Sequence, residues 1–199
     1  MSIFNTKRMS ALTEKTVEHF VLGAGVFAEN FTPGTDTYES AKTAGKLLGA
    51  TTGGGEFKAA KVGHYSQVDG PENTKGLYIL DYWTTTMQAT VKELTADTIA
   101  AAMTAAKKTT EESVTGYDVI VPKSAIELDD YTENVTYIGR LVGSEKPIII
   151  QIFNAFNTND ISIQPKDNDE ASVQVIFAGH YDPSDLETPP YKIYWPKEA

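Results

Sequence analysis

Cysteine is absent from this chain of 199 residues, which excludes disulfides, thiolate nucleophiles and zinc sites built on sulfur. Histidine is scarce: His19, His64 and His180 are widely separated, and none stands at the spacing of paired metal ligands. Asp182 and Asp185 could supply oxygen ligands beside His180, but the segment between them fits a turn whose aspartates cap the backbone equally well. We therefore predict neither a metal nor a cofactor.

Long apolar runs are also lacking. The most apolar stretch, Pro147–Phe153, is far shorter than the roughly 18 residues that a membrane-spanning helix needs. Met1–Arg8 carries two basic side chains with no apolar segment behind them, so we expect no signal peptide. These features predict no membrane partner, and the absence of cysteine fits assembly in a reducing cytoplasm.

Basic residues are outnumbered: 17 Lys and Arg stand against 27 Asp and Glu, which gives a formal net charge of −10. A protein that grips DNA without regard to sequence needs basic side chains that release counterions from phosphates. This chain has the wrong sign, so DNA nearby would be repelled and would stay mobile. Taken alone, the acidic excess is explained at least as well by solubility.

No motif predicts catalysis. A phosphate-binding loop ends in Gly-Lys-Ser/Thr or opens a helix, whereas Gly53–Gly55 leads into Glu56 and an apparent strand. Ser184, His180 and Asp182 could form a hydrolytic triad on paper, but residues so close in sequence seldom do, and no nucleophile elbow surrounds them. We therefore assign no catalytic residue and predict that the chain is not an enzyme.

Apolar residues at period two dominate the chain and predict short β-strands. The pattern is clear in Gly76–Leu94, and in Asn134–Val142 and Ile148–Phe156, which the turn Gly143–Pro147 should join into a hairpin. Strands with this spacing form a sandwich or a barrel. We predict a mainly β fold, a β-barrel or sandwich with one flanking α-helix.

The predicted helix begins at Thr95, a good N-cap, carries Asp97 in its first turn and extends to Lys108. A second, weaker helical pattern runs from Asp36 toward Leu48.

The alternation also predicts core residues. Ile79, Trp83, Val175 and Phe177 lie on alternating faces of their strands and should be buried. Aromatic residues are frequent from Phe153 onward, and spaced rings can stack on sugars, so a carbohydrate-binding β-sandwich is an alternative. Rings at period two more often fill cores and seams between subunits, which is the interpretation we favour.

Three segments fit poorly inside a compact sandwich: residues 1–16, a long glycine-rich loop at Gly49–Gly55, and the acidic stretch 111–115. We predict an extended N-terminal arm, residues 1–16, and a single β domain, residues 17–199. Neither the arm nor the loop has an apolar pattern that would fold onto its own core, so both are expected to contact neighbouring subunits. The residues assigned to these contacts are Phe4, Gly53, Gly54 and Gly55.

Six short motifs follow one another along the chain: LLGATTGGGEF at Leu47–Phe57, then Val68–Gly70, Lys75–Leu77, Glu93–Thr95, Val175–Asp182 and Pro190–Tyr194. In this order they resemble the major tail tube proteins of siphophages, the long-tailed bacteriophages. The first looks like that family's glycine-rich segment before a strand, the middle ones like its strand and single helix, and the last two like its closing strand, loop and strand.

The resemblance implies the tail-tube fold and hexameric rings that stack into a hollow tube for DNA passage. It implies as partners other copies of the chain and the tape measure, tail terminator and distal tail proteins. It also implies a place in the virion tail after assembly in the bacterial host cytoplasm. Tubes of contractile tails, phage-like bacteriocins and type VI secretion machines are related and remain alternatives.

An acidic channel would suit such a tube, because a wall of like charge repels phosphates and lets DNA slide. The candidates for lumen-facing side chains lie in one charged loop and are Asp167, Asp169 and Glu170.

Deleting residues 1–16 tests the role of the N-terminal arm. The truncated chain should fold as a monomer and no longer polymerise, because the deleted segment is expected to contact neighbours and not its own core. Sedimentation and negative-stain microscopy measure the outcome, and a truncated chain that still forms full-length tubes would show that the arm is not an assembly element.

Overall fold

Nine β-strands and two short α-helices form the part of the chain that the computed structural model describes, residues 11–109, 114–165 and 167–197. The prediction of a mainly β fold with one main flanking helix is confirmed. In chain order the elements are β1 (Val21–Glu29), α1 (Tyr38–Thr43), β2 (Thr51–Tyr65), β3 (Tyr78–Val91), α2 (Ala96–Met103), β4 (Ala106–Thr109), β5 (Val119–Pro122), β6 (Thr132–Leu141), β7 (Ile148–Asn157), β8 (Val173–Gly179) and β9 (Tyr191–Tyr194). Two 3₁₀ turns are also described, at Thr16–His19 and Leu128–Asp130.

Seven strands form one curled sheet in the order β1-β6-β7-β8-β3-β2, with β9 added to β7. All the described strand pairs in this sheet are antiparallel. β6 and β7 form the predicted hairpin, with Gly139 opposite Ile148 at its closed end. β4 and β5 pair separately as a small two-stranded sheet next to α2.

The sheet divides into two layers at the end of β7. Along residues 149–152, β7 lies between β6 and β9, and only Phe156 and Asn157 pair with β8. Between these segments Asn154 has φ +47°, a left-handed conformation that asparagine tolerates better than most residues. At this point β7 turns from β9 toward β8, so the β8-β3-β2 layer can fold over the β1-β6-β7 layer.

The main core fills the space between the two layers. Alternate residues of β3 and β8 point inward, as their period-two sequences dictate, and meet side chains of β1, β6 and β7. Val175 and Phe177, two of the predicted core residues, are each only 2% exposed. The buried cluster consists of Phe27, Leu48, Met87, Ala89, Val91, Ala102, Val135, Ile152, Ala155, Val173, Val175 and Phe177.

The helix α1 covers part of the outer face of the β1-β6-β7 layer, where its Ala41 is buried with Ala28 and Phe31. Thr37 caps the helix by accepting a hydrogen bond from the Ser40 backbone N–H (3.1 Å). The helix is shorter than the sequence pattern predicts, because the chain leaves it after Thr43, two residues before a left-handed glycine.

A buried polar network joins the outer face of this layer to the segment before α1. The Gln151 side-chain amide donates to the Phe31 carbonyl oxygen (2.8 Å) and to Thr136 Oγ1 (2.9 Å). Asn134 Oδ1 accepts from the Phe31 backbone N–H (3.0 Å) and from Thr136 Oγ1 (2.8 Å). Because these buried groups satisfy one another, the network fixes one position for the segment that leads to α1.

The helix α2 begins as predicted and ends earlier. Thr95 Oγ1 accepts from the Thr98 backbone N–H (3.1 Å). The predicted continuation to Lys108 is wrong, because Thr104 takes φ +57° immediately after Met103 and the chain then enters β4. No helix within the described residues is long and apolar enough to span a membrane.

Asn157 holds the C-terminal end of α2 at the junction of β7 and β8. Its side-chain amide donates to the Ala102 carbonyl oxygen, and its Oδ1 accepts from the Ile176 backbone N–H (2.7 Å). Its backbone N–H donates to Thr104 Oγ1 (3.0 Å), which donates in turn to the Asn157 carbonyl oxygen (3.0 Å). One side chain thus ties the helix to both strands.

The glycine-rich segment is not the loop that the sequence predicts, because β2 already begins at Thr51. Gly53 and Gly54 have φ +73° and +74° and form a bulge, since the register with β3 shifts between Thr52 and Gly55.

Gly55 is needed for a different reason. A Cβ atom added to it would lie 2.3 Å from Phe27 Cζ and 2.5 Å from the Gln88 carbonyl oxygen. The hydrogen atom of this glycine therefore allows the Phe27 ring of β1 to pack directly on the backbone of β2.

A second bulge changes which residues of β3 face the core. Its register with β2 shifts between Val62 and Gly63, which leaves Asp81 as an extra residue of β3. Because side chains alternate between faces, the bulge exchanges the odd and even positions beyond it. On the core side of the bulge, the odd-numbered residues of β3, down to Trp83, lie on the core-facing side. Between the bulge and the tip, the even-numbered residues Leu80 and Tyr78 lie on that side instead.

The bulge and the length of β3 explain a wrong core prediction. Ile79 is 46% exposed, because it lies beyond the bulge and beyond Thr85, the first residue of β3 that pairs with β8. Trp83 is only partly buried and packs edge-on against Tyr191, with ring centroids 5.7 Å apart.

Alanine substitutions test the division between core and periphery. Phe177→Ala should lower the free energy of unfolding by about 3–5 kcal/mol, because it leaves a cavity between the layers. Ile79→Ala, the matched control, should cost roughly 0.5 kcal/mol or less, as expected for an exposed position. Chemical denaturation gives both values, and a cost at Phe177 well below about 1 kcal/mol would contradict the described register of β8.

Candidate assembly surface

Within the described residues, the strand order of the curled sheet ends in β1 and β2, and each of these two strands keeps one unpaired edge. The edge of β1 is covered only at its end, where the Leu48 N–H donates to the Phe27 carbonyl (3.0 Å) and the Glu29 N–H to that of Lys46 (2.8 Å). Among the described residues, Val21–Val26 and the outer edge of β2 have no further backbone partner. Such an edge is a template for pairing with another chain.

Beyond the sheet, β2 and β3 continue as a two-stranded extension, residues 61–83, which we name the β-arm. β8 pairs with β3 only along Thr85–Val91, so no third strand among the described residues supports the β-arm. Large apolar side chains are exposed on both of its faces, each 40–49%. They are Tyr65, Val68, Tyr78, Ile79, Leu80 and Tyr82. An isolated two-stranded ribbon is at best marginally stable in water, and exposed apolar surface of this extent marks an interaction site.

Contacts within the β-arm are few and solvent-exposed. The Tyr65 and Tyr78 rings meet edge-on with centroids 5.0 Å apart, and the Lys61 ammonium lies 5.7 Å from the centre of the Tyr78 ring. On the other face, His64 Nδ1 lies 3.0 Å from Asp81 Oδ2. Exposed pairs of this kind add little stability, so the β-arm depends mainly on its own ladder.

Three of the four predicted subunit-contact residues lie on the edge strand β2. Gly53, Gly54 and Gly55 belong to the bulged start of β2, which is an edge strand. Nothing lies within 4 Å of the Cβ position of Gly53 or Gly54, whereas Gly55 packs inward against Phe27. Phe4 lies outside the described residues. A role for these four residues in subunit contacts stays a prediction.

The predicted lumen residues Asp167, Asp169 and Glu170 are all exposed, and two of them are paired. The Lys92 ammonium lies 2.9 Å from Glu170 Oε2 and 3.8 Å from Asp169 Oδ1. The hydrogen bond from Lys92 lowers the pKa of the Glu170 carboxyl, and Glu170 raises the pKa of Lys92 in return. Lys92 therefore neutralises part of the negative charge that the sequence of this loop suggests.

The side chains considered for catalysis or metal binding are used in other contacts. His180 stacks on the Phe156 ring (4.7 Å between centroids), and its Nδ1 lies 2.9 Å from the Asn154 carbonyl oxygen. Ser184 donates to Asp182 Oδ1 from its backbone N–H (2.8 Å) and its hydroxyl (2.6 Å), which lowers the pKa of Asp182. The part of the chain that the structure describes contains no group of three or more His, Cys, Asp or Glu placed to hold a metal ion.

Glu29 is not among the residues predicted from the sequence, yet it is the one described carboxylate with a buried oxygen lacking a hydrogen-bond partner. It lies two residues after the core residue Phe27 and opposite Val135, so alternation places it on the core-facing side of β1. Burial raises the pKa of the Glu29 carboxyl, because the charged form loses its hydration. The spacing of two residues from Phe27 is the sequence feature that could have predicted the burial of Glu29.

Comparison with protein-family models gives no match, and no curated protein matches either. Among solved structures, a chain from the tail of an empty gene transfer agent particle, obtained by helical refinement with C6 symmetry, is 14% identical with a TM-score of 0.38, over 80% of this chain and 92% of that chain. A chain from the virion of a native gene transfer agent particle is 15% identical with a TM-score of 0.34, over 68% of this chain and 84% of that one. Both likenesses are too distant to carry a conclusion about this chain.

Replacing Glu29 by glutamine tests the cost of the buried charge. Stability linked to the protonated carboxyl is complete below the ordinary pKa and is lost as the pH rises through the raised pKa. Glu29→Gln should therefore raise Tm at neutral pH by about 2–4 °C, the shift that ~1 kcal/mol gives in a chain of this size.

The gain should shrink at about pH 4, where the wild-type carboxyl is protonated. Thermal unfolding followed by circular dichroism at both pH values measures it. Glu133→Gln, an exposed position on β6, is the control and should leave Tm unchanged. An equal gain from Glu29→Gln at both pH values would contradict the electrostatic explanation.

Proposed function

We propose that this chain is the tube subunit of a siphophage tail, which assembles as hexameric rings stacked into a hollow channel for DNA. The observation that carries the proposal is the β-arm, which leaves the sheet with large apolar side chains exposed on both faces. A surface of this kind needs a partner. The order of the sequence motifs supports other copies of the same chain as that partner.

The open edges of the sheet support assembly into a closed ring. In the part of the chain that the structure describes, the outer edge of β2, a strand of 15 residues, has no partner strand, and much of the β1 edge has none either. When identical copies stand in a ring, an edge of one copy can lie against an edge of the next, so the sheets join into a continuous inner barrel. Closure would remove the edges that make a single copy prone to aggregation.

Further contacts belong to the same proposal. The N-terminal arm, residues 1–16, with Phe4 would reach a neighbouring subunit. The glycine bulge at Gly53 and Gly54 sits in an edge strand, where a neighbour can approach the backbone closely. The tape measure, tail terminator and distal tail proteins would be partners in the virion tail, after assembly in the host cytoplasm.

The channel should repel DNA. With a net charge of −10 on each copy, the wall can be acidic or neutral, so that phosphates find no adhesive surface. Asp167, Asp169 and Glu170 remain the lumen candidates, with Lys92 neutralising part of their charge. A channel lined mainly by unpaired Lys and Arg would contradict this part of the proposal.

The alternatives are distinguishable. The tube of a contractile tail, a phage-like bacteriocin or a secretion machine would use the same surfaces and add a sheath-binding exterior, so a neighbouring sheath gene would favour it. A carbohydrate-binding sandwich needs rings that face solvent. In the aromatic-rich part of the chain, Tyr194 and Trp195 are 40% and 54% exposed, whereas Phe177 is buried in the core. A chain that stays monomeric and binds sugars would therefore favour this alternative.

Microscopy of the purified chain and of an arm variant tests the proposal. The wild-type chain should form rings or tubes in negative stain. Leu80→Asp places a charge on an exposed apolar position of the β-arm, so the chain should stay folded, with an unchanged circular dichroism spectrum, and should lose its rings and tubes.

Leu128→Asp is the matched control, because Leu128 is 84% exposed and lies outside the β-arm. This variant should assemble like the wild type. A wild-type chain that stays monomeric at high concentration would overturn the proposed function. Rings or tubes that Leu80→Asp leaves intact would show that the β-arm is not the assembly contact, and the proposal would lose the observation that carries it.

A further inference from the structure

Two neighbouring cavities lie along the start of β1, and Tyr38 lines both. On one side a cavity of about 940 Å³ is lined by Leu22, Ile138 and the turn between β6 and β7. On the other side a cavity of about 540 Å³ reaches the start of β2. Both cavities are lined by Gly25, Val26 and Tyr38, so they form one surface, which we name the β1 groove.

The β1 groove offers a backbone edge and apolar side chains together. The pairing of β1 with β6 is interrupted between Leu22 and Val26, where Gly23 and Gly25 have φ +82° and +68°. The Cβ position of Gly25 is occupied by the Tyr137 ring, whereas no described atom lies within 4 Å of the Cβ position of Gly23. Another backbone can therefore approach closely at Gly23. Leu22 is 52% exposed beside this edge. The combination suits an added extended strand.

The β-arm fits this description, but a chain cannot place its β-arm in its own groove. The β1 groove touches β2 at Thr51, whereas the β-arm begins at Lys61, about ten residues and roughly 33 Å further along an extended strand. A second copy has to supply the β-arm.

The charges of the two surfaces are complementary at one end. Arg140 and Lys146 line the β1 groove, and neither forms an ion pair with a described residue. Asp69 and Glu72, at the tip of the β-arm, likewise have no ion-pair partner in the described ranges. Lys75 lies in the same turn, so the tip carries one net negative charge. Two glutamates also line this part of the groove, so the attraction is local and the apolar floor supplies the larger contact area.

We propose that the β1 groove of one copy receives the β-arm of a second copy, with Tyr78 and Leu80 against its apolar floor and the acidic tip toward Arg140 and Lys146. This inference rests on the proposed function, because it names the contact through which tube subunits join. The contact is heterologous: each copy offers one β-arm and one groove, so every junction leaves one of each free for the next copy.

Cross-linking between introduced cysteines tests the contact, since the natural chain has none. The double variant Leu22→Cys with Val68→Cys places one thiol in the groove and one at the tip of the β-arm, both at exposed positions. After assembly and treatment with a short bismaleimide, denaturing electrophoresis should show a ladder of covalent oligomers. Each single variant should give dimers at most.

The control double variant, Leu186→Cys with Val68→Cys, moves the first thiol to an exposed site outside the groove and should give no ladder. If rings or tubes form and the groove variant gives no more ladder than the control, the groove contact is wrong while the proposed function stands. A chain that forms no assembly at all overturns both.

A charge reversal gives an independent measurement. Arg140→Glu should raise the concentration needed for assembly on the order of tenfold, because it sets a carboxylate against the acidic tip. Adding Asp69→Arg and Glu72→Arg should restore most of the loss. Lys107→Glu, at an exposed position on β4, is the matched control for net charge and should have little effect. Equal effects of the two single reversals would overturn the groove contact.

Discussion

The close contact between Phe27 and Gly55 is the constraint on which the curled sheet depends. It brings the end of β1 against the start of β2, the two ends of the strand order, so that one core can be enclosed between the layers. A single Cβ atom at position 55 would separate them, since it would lie 2.3 Å from the ring. The contact is made by a side chain and not by a ladder, because β1 and β2 are not paired with each other, and their outer edges stay largely without partners among the described residues.

Buried side-chain amides hold α2 and the segment before α1 against the two layers of the sheet. Gln151 and Asn134 secure the segment before α1, and Asn157 secures α2 at the junction of the layers. Each amide bonds to backbone groups that have few other partners, so replacing either side of the contact would leave a buried polar group unsatisfied. The two layers are therefore specified by polar contacts as well as by apolar packing. The β-arm contacts them at its base, where the Trp83 N–H donates to the Tyr181 hydroxyl (2.8 Å) and the Trp83 ring packs on Tyr191.

Features that depend on local sequence were predictable. The period-two hairpin of β6 and β7, the Thr95 cap and the burial of Val175 and Phe177 all follow from neighbouring residues. The failed predictions within the sheet depend on distant pairing. Nothing near Asp81 announces a bulge, because the extra residue exists only relative to β2.

In the candidate assembly surface, too, local sequence predicts the strands, whereas the pairing of distant strands decides which residues are exposed. A pattern in β3 predicts a strand, but only the short pairing with β8 shows that Ile79 lies outside the core. The glycines of β2 signal unusual backbone, yet whether that backbone is a loop or a bulge is decided by the partner strand. Exposure of the β-arm was therefore not visible in the sequence, although its apolar residues were.

The bulge at Asp81 also sets how the β-arm can change in length over evolutionary time. Because Asp81 is an extra residue, the side chains of β3 between the bulge and the tip point to the opposite face from the one that simple alternation with the core residues would give. Losing one residue between the bulge and the tip would turn over every side chain beyond that point, whereas losing two would shorten the strand by one pleat and keep its faces. The β-arm can drift in length by pairs of residues, and each single-residue change must be matched by another bulge.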